Sequence, residues 1–276
     1  PTVTLKVLRA FIGRVNFIAG LVVYLRAIVT WLWHAVNARE DEASRHRPQA
    51  AGGRKPLASD RIHTRRLLRP LDWLDAFLSG REGAIERSLP LTPEPQARFR
   101  VTCDASPWGF GAILYENGEA IEWLAEALTA DDEAAFNAKI GSSDFISVWE
   151  ALALLVALRT WARKSGGRME LRTDSSCAIA SLAGLRSKSP QILKVALEVC
   201  LDLAEDRYQV TEFFHIPGVT NLEADALSRL QAPEPLDFPA SLSAAPRAAT
   251  VNRFAAGFWR VAAPPRRTRL KVRGSS

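Results

Sequence analysis

Cysteine is scarce in this chain. Its 276 residues hold three, Cys103, Cys177 and Cys200, and no C-x-x-C pair. An odd and widely spaced set supports neither a disulfide framework nor a cysteine-rich zinc site, so an intracellular, reducing setting is expected, cytoplasmic or nuclear. Long apolar runs are missing too. The segment 5–36 is strongly apolar, but Arg14, Asn16 and Arg26 interrupt it, and the unbroken stretch Phe17–Leu25 falls far short of the roughly 20 residues a bilayer requires. One or two buried helices are expected there, and no membrane partner. No charged-then-apolar leader precedes a small-residue cleavage site, which argues against a signal peptide. A chain opening on Pro1 reads as a piece of something longer.

What the chain does have is enough apolar content, 47%, for one large core or two small ones. Its net charge of +6 is segregated. Residues 1–99 carry 16 Lys and Arg against 9 Asp and Glu, residues 100–230 carry 12 against 19, and residues 231–276 carry 8 against 2. Basic flanks around an acidic centre suit a protein that grips a polyanion at its edges and gathers cations in its middle. The composition divides the chain into a helical stretch over 1–36, a linker with one short helix over 37–97, a mixed domain over 98–230, and a basic Pro/Ala/Arg-rich tail over 231–276, expected to be disordered.

Within 98–230 the hydrophobic period alternates between that of strands and that of helices. Arg98–Asp104 reads as a strand, with Gly109–Tyr115 and Ala120–Leu124 following it around an Asn117-Gly118 turn, the strongest hairpin signal in the chain. A long helix over 144–163, a strand Met169–Thr173, two helices, a strand Val210–Ile216 and a last helix Asn221–Leu230 complete the order βββαβααβα. The expected fold is α/β: a mixed five-stranded sheet with three antiparallel strands leading, two added in parallel, and helices on both faces.

Four carboxylates stand out by position. Asp104 ends the first strand and Asp174 ends the fourth, so parallel neighbours would deliver both to one sheet edge, where ligands gather in open α/β sheets. Glu150 lies on an apolar helix flank beside Ile146, Ala153 and Ala157, with no Lys or Arg one turn away, and a carboxylate there is costly unless something pairs it. Asp225 sits in the first turn of the last helix. Taken singly, Asp104 and Asp174 read as turn or cap residues. As a cluster the four need cations, and hard oxygen donors with a phosphate substrate point to two Mg²⁺ ions, or Mn²⁺ in their place. Phosphodiester hydrolysis by two metals is the reaction that uses such a cluster.

Three runs then carry a resemblance: Thr102-Cys-Asp-Ala-Ser-Pro-Trp-Gly-Phe-Gly-Ala112, Thr173-Asp-Ser-Ser-Cys-Ala178 and His215-Ile-Pro-Gly-Val-Thr-Asn-Leu-Glu-Ala-Asp-Ala-Leu-Ser-Arg229. They resemble the ribonuclease H domain of retrotransposon reverse transcriptases, most closely the gypsy-like and DIRS-like elements. Upstream, Leu8-Arg-Ala-Phe-Ile-Gly-Arg-Val-Asn-Phe-Ile-Ala-Gly20 is similar to the segment that follows the polymerase palm in such enzymes, which makes 1–36 a helical remnant of the thumb or connection. The resemblance implies a ribonuclease H-like fold and a metal-dependent endonuclease that hydrolyses the RNA strand of RNA/DNA hybrids. It implies that Asp104, Glu150, Asp174 and Asp225 are metal ligands and that His215 is the mobile catalytic histidine. It also implies partnership with the hybrid and with the remainder of the polyprotein.

Ser106, Trp108, Gly109, Ser175 and Asn221 are the candidate substrate contacts. Trp108 would stack on a sugar or base, and Gly109 would let backbone approach the minor groove, where 2′-hydroxyls mark RNA. Caps, turns and packing explain each of these residues equally well. No Tyr-x-Asp-Asp signature occurs, so the polymerase site is absent from this chain, and the gap after Leu185 leaves no room for the extra basic helix of cellular ribonucleases H. Two alternatives stand beside the nuclease. One is a non-catalytic remnant that binds nucleic acid or supports assembly. The other is an integrase or transposase nuclease, which the His-x-Pro-Gly and Leu-Ser-Arg context disfavours.

Overall fold

The computed structural model describes residues 1–45, 58, 60–83, 97–166 and 168–265. These fall into two compact units, one drawn from residues 1–87 and from Arg260 onward, the other from residues 88–259.

In the first unit, strand β1 (Thr2–Thr4) pairs antiparallel with β2 (Arg61–His63), and three helices complete it: α1 (Leu5–Leu21), α2 (Leu25–Arg45) and α3 (Leu68–Leu78). Thr4 accepts a hydrogen bond from the Val7 amide, which satisfies one of the free donors at the start of α1. Leu5, Leu8, Ile12, Val15 and Ala19 recur at helical spacing and are buried, as are Leu25, Ile28 and Leu32 of α2. The opposite side of α1 keeps large apolar groups in solvent: Phe17 is 79% exposed and Leu21 72%, with Val7, Phe11 and Ile18 exposed as well. Among the described residues no helix is long and apolar enough to cross a membrane. Helix α2 runs nine residues past the expected end of the helical stretch at 36, because Asn37–Arg45 contains no Pro or Gly to stop it. The proline-marked boundary at 89–95 lies outside the described residues.

The second unit is built on a five-stranded sheet of β3 (Phe99–Ala105), β4 (Gly109–Glu116), β5 (Glu119–Ala127), β6 (Arg168–Thr173) and β7 (Gln209–His215), in the order β5-β4-β3-β6-β7. The first three strands form an antiparallel meander, while β6 and β7 add in parallel beside β3, as expected from the sequence. Asn117 and Gly118 both have positive φ, 52° and 95°, the mirror-type turn that matches strand twist and that this dipeptide favours. Helix α5 (Ile146–Trp161) is apolar on almost every side because it is packed against the sheet at β3 and β4 and is covered by α6 (Ser176–Ala183) and α7 (Pro190–Ala204). Helix α8 (Leu222–Ser228) lies against β3, β4 and β5, and only six residues separate α6 from α7 along the chain.

The order differs from expectation by one element. Helix α4 (Ala130–Phe136) follows β5, opened by a capping box in which the Thr129 side chain and Asp132 carboxylate satisfy each other's backbone amides.

The larger difference is the segment after residue 230, expected to be a disordered tail. Through Trp259 it is packed on the second unit. Leu242 is fully buried among Ile113, Ala224 and Leu227. The Trp123 amide donates to Pro246 O and the Ala248 amide to Trp123 O, so the segment adds hydrogen bonds to the outer edge of β5, an edge otherwise open to other chains. Arg253 forks onto both oxygens of buried Asp132 at 2.8 Å. Composition misled here because a few large side chains, each with a prepared socket, anchor a segment that has no period of its own. Residues 266–276 lie outside the described residues.

Candidate active site

The parallel pairing of β3 and β6, with Thr102 opposite Arg172, makes their C-terminal ends coincide. Asp104 near the end of β3 and Asp174 just past β6 therefore emerge at one sheet edge. Asn221, 2% exposed at the start of α8, joins them: its Nδ2 lies 3.4 Å from Asp104 Oδ1, 3.3 Å from Asp174 Oδ1 and 3.1 Å from Cys103 O. Two N–H bonds serve three acceptors, so the amide bridges the two carboxylates. Ser228 Oγ sits 2.8 Å from Asp104 Oδ2 and 2.9 Å from Asp225 O, with one proton to give. From α5, Glu150 accepts a hydrogen bond from Ser175, whose hydroxyl also caps α6 at the Ala178 amide. Asp225 accepts from Arg229 Nε at 2.6 Å, an i,i+4 pair at the end of α8.

Electrostatics tie the four acids together. The Asp104 carboxyl, 6% exposed, is pushed up to about 8, first by burial and then by the charges of Asp174, Asp225 and Glu150, with the Ser228 bond opposing. Glu150 is raised by burial and by Asp174, against the Ser175 bond. The charges acting on these two groups are all negative, which is the condition a bound cation relieves. The donors are hard oxygens, and Asn221 Oδ1 is buried without a partner at the same place. This chemistry fits Mg²⁺ or Mn²⁺. The side chains are nevertheless not gathered into a cage: among the described residues no group of three or more His, Cys, Asp or Glu could hold one ion as it stands. Two of the acids are engaged elsewhere, Glu150 by Ser175 and Asp225 by Arg229.

The remaining candidates divide. His215 ends β7 exposed, its Nε2 2.9 Å from Asp174 O, so it stands beside the cluster with Nδ1 free to accept when Nε2 carries the proton. Trp108 is partly exposed in the β3–β4 turn. Ser106 and Gly109 are corrected. The Ser106 hydroxyl is buried, donates toward Ser228 O at 2.7 Å and accepts from the Trp108 and Gly109 amides, so it ties the turn to α8 and faces into the domain. A Cβ on Gly109 would meet Glu126 O at 2.8 Å and Ser228 O at 3.0 Å, so this glycine is required by packing inside the domain and is itself buried. Ser175 and Asn221 are buried and hold carboxylates, which makes them supports of the acids rather than outward contacts.

Three residues at the site were not singled out from the sequence: Ser228, Arg229 and Gly218, where a Cβ would stand 2.9 Å from Asp174 Oδ2. All three lie in the run His215–Arg229. The signal for two of them was spacing, since Ser228 and Arg229 follow Asp225 by three and four residues, on its own helix face.

No family model matches the chain. The Retrovirus-related Pol polyprotein from transposon 297 of Drosophila melanogaster is 26% identical over 188 residues, which is 68% of this chain and 16% of that protein. Among solved structures, RNase H1 from the archaeon Halobacterium salinarum overlaps 49% of this chain and 96% of its own, at 22% identity and a TM-score of 0.39. A foamy viral protease-reverse transcriptase in complex with an RNA/DNA hybrid overlaps 78% of this chain and 25% of its own, at 16% identity and a TM-score of 0.30. The fold itself rests on the strand order and directions described above. With the transposon relative and the three motif runs, it supports a ribonuclease H-like domain of the kind found in retroelement polyproteins.

Proposed function

We propose that the ribonuclease H-like domain of this retroelement-related chain is a divalent-cation-dependent endonuclease that hydrolyses the RNA strand of RNA/DNA hybrids. The observation that carries the reading is the like-charged cluster at the β3 and β6 ends, where Asn221 bridges Asp104 and Asp174 and the charges of Glu150 and Asp225 act on the same place. A purely structural site would balance such a cluster with cations, because each uncompensated buried charge costs stability. Asp104, Glu150, Asp174 and Asp225 would hold the ions, which when bound supply Lewis-acid polarisation of the scissile phosphate and a readily deprotonated water. The chain's own residues supply position and proton handling. Asn221 and Ser228 hold Asp104, and Ser175 holds Glu150. His215, oriented by its Nε2 contact to Asp174 O, presents Nδ1 as a proton acceptor at the edge of the site.

Hydrolysis forms a bond from water oxygen to phosphorus and breaks the bond to the 3′ oxygen, leaving a 5′-phosphate and a 3′-hydroxyl. Trp108 is the remaining candidate for stacking on the hybrid. The exposed apolar side of α1, with Phe17 and Leu21, supports a contact with the remainder of a polyprotein.

The test is cleavage of a labelled hybrid by the purified chain with Mg²⁺ at one stated salt concentration, since phosphate-driven affinity changes steeply with salt. Asp174→Asn is expected to abolish cleavage and leave hybrid binding within a few fold, because it removes a metal-ligand charge at nearly constant shape. Binding without cleavage in both forms would favour a non-catalytic remnant, a reading to which the engaged Glu150 and Asp225 lend weight. Cleavage surviving in the variant would assign the activity to something else.

A further inference from the structure

The four carboxylates are not restrained alike. Asp104 has the Ser228 hydroxyl and the Asn221 amide, Asp174 has the same amide, and Glu150 has the Ser175 hydroxyl. These are neutral donors that leave the negative charge in place. Asp225 differs: its partner among the described residues is a guanidinium, Arg229, at 2.6 Å. Both side chains of that pair are partly exposed, 30% for Asp225 and 43% for Arg229, so either can swing away without opening the core. The pair is local, one turn along the same short helix, and the Arg229 backbone amide returns to Asp225 O, which keeps the two residues within reach of each other.

We propose that Arg229 is a positioning residue that competes with divalent cations for Asp225, acting as an internal cation that holds this ligand until metal displaces it. The inference rests on the proposed metal-dependent reading of the same site. Its physical basis is exchange: a carboxylate oxygen bonded to the guanidinium is withdrawn from an incoming ion, and the ion must first break that bond. Partly exposed ion pairs of this geometry are weak, so the competition is worth about 1.5-fold to 5-fold in cation affinity. Among the described residues it belongs to Asp225 alone, because no comparable cation there holds the other three acids. Metal loading would then be graded, with Asp104, Glu150 and Asp174 available first and Asp225 last.

Calorimetric titration of Mn²⁺ into the whole metal-free chain tests this without reference to activity. Arg229→Gln is expected to bind Mn²⁺ about 1.5-fold to 5-fold more tightly than the parent, and Arg229→Lys, which keeps the charge but loses the planar fork, to fall between them. In an Asp225→Asn background, Arg229→Gln is expected to have no effect. Equal or weaker binding by Arg229→Gln overturns the proposal, since a residue that merely orients Asp225 for metal would weaken affinity when removed. A gain that survives in the Asp225→Asn background also overturns it, because the effect would then be general electrostatics. If Arg229→Gln does not fold, the Lys variant decides: affinity at or below the parent value counts against the proposal. Binding by neither parent nor variants removes the metal-dependent reading itself, whereas binding by both with equal affinity removes only the role of Arg229.

Discussion

Two groups of buried charge lie within one domain, and they are built on opposite terms. Between α5 and α7, Arg159 donates to Asp202 Oδ2 at 2.6 Å, to Glu198 Oε2 at 2.8 Å and to Phe258 O at 2.5 Å, and the Tyr208 hydroxyl adds a bond to Asp202. Both acids are fully buried, and both are paired. At the ends of β3 and β6, Asp104 is almost as deeply buried, yet the charges around it have its own sign. Burial alone therefore does not mark a functional site. A charge group satisfied from within serves the fold, and one left unbalanced is the arrangement expected of the proposed metal site.

Breaking the satisfied group has the largest expected effect. Arg159→Met strands two buried carboxylates and is expected to cost about 3–5 kcal/mol in urea unfolding. A loss below about 1 kcal/mol would remove the contrast between the two groups. Leu242→Ala supplies an uncharged control, since it opens a hole where the C-terminal segment plugs the core, and about 2–4 kcal/mol is expected by the same measurement. No loss there would mean that the segment is dispensable.

The unbalanced group is expected to respond with the opposite sign. In the presence of a chelator and above pH 8, where Asp104 is ionised, Asp104→Asn removes the buried charge that its neighbours oppose, and the chain is expected to become more stable by about 2 kcal/mol, read as a higher unfolding midpoint. Destabilisation would show that Asp104 is a structural acid like Asp202. The smallest expected effect on stability is that of Gly218→Ala. Its added methyl meets only the end of the Asp174 side chain, at 2.9 Å, so stability is expected to hold within about 0.5 kcal/mol while hybrid cleavage falls several-fold as that carboxylate is displaced. A change in unfolding midpoint without a change in cleavage would place the contact in the fold rather than in the site.

The contrast also separates what was legible in the chain from what was not. Asp104, Asp174 and Glu150 could be found by parity and helix position, because a strand end and an apolar helix flank are properties of local order. The Asn117-Gly118 turn and the α5 core helix were legible for the same reason. Helix α4 was missed although Thr129 and Asp132 spell its capping box, because seven residues give too little period to register beside the strand that precedes them. Ser106 and Gly109 were assigned outward roles since their motif allows them. Only the approach of the α8 end, with Ser228 O near both, shows that they face inward.

The sequence by itself determined the order of the sheet strands and of the longer helices, the sheet edge to which Asp104 and Asp174 go and the segregation of charge along the chain, since each follows from residue spacing and type. Tertiary structure alone decided how those charges are balanced. Whether Glu198 and Asp202 find Arg159, whether Asp225 finds Arg229, and whether residues 231–259 settle on the edge of β5 all depend on groups brought together from distant parts of the chain or on which of several reachable partners a side chain takes. Electrostatic energy falls with distance and grows with burial, and neither quantity exists for a side chain until the chain has folded around it.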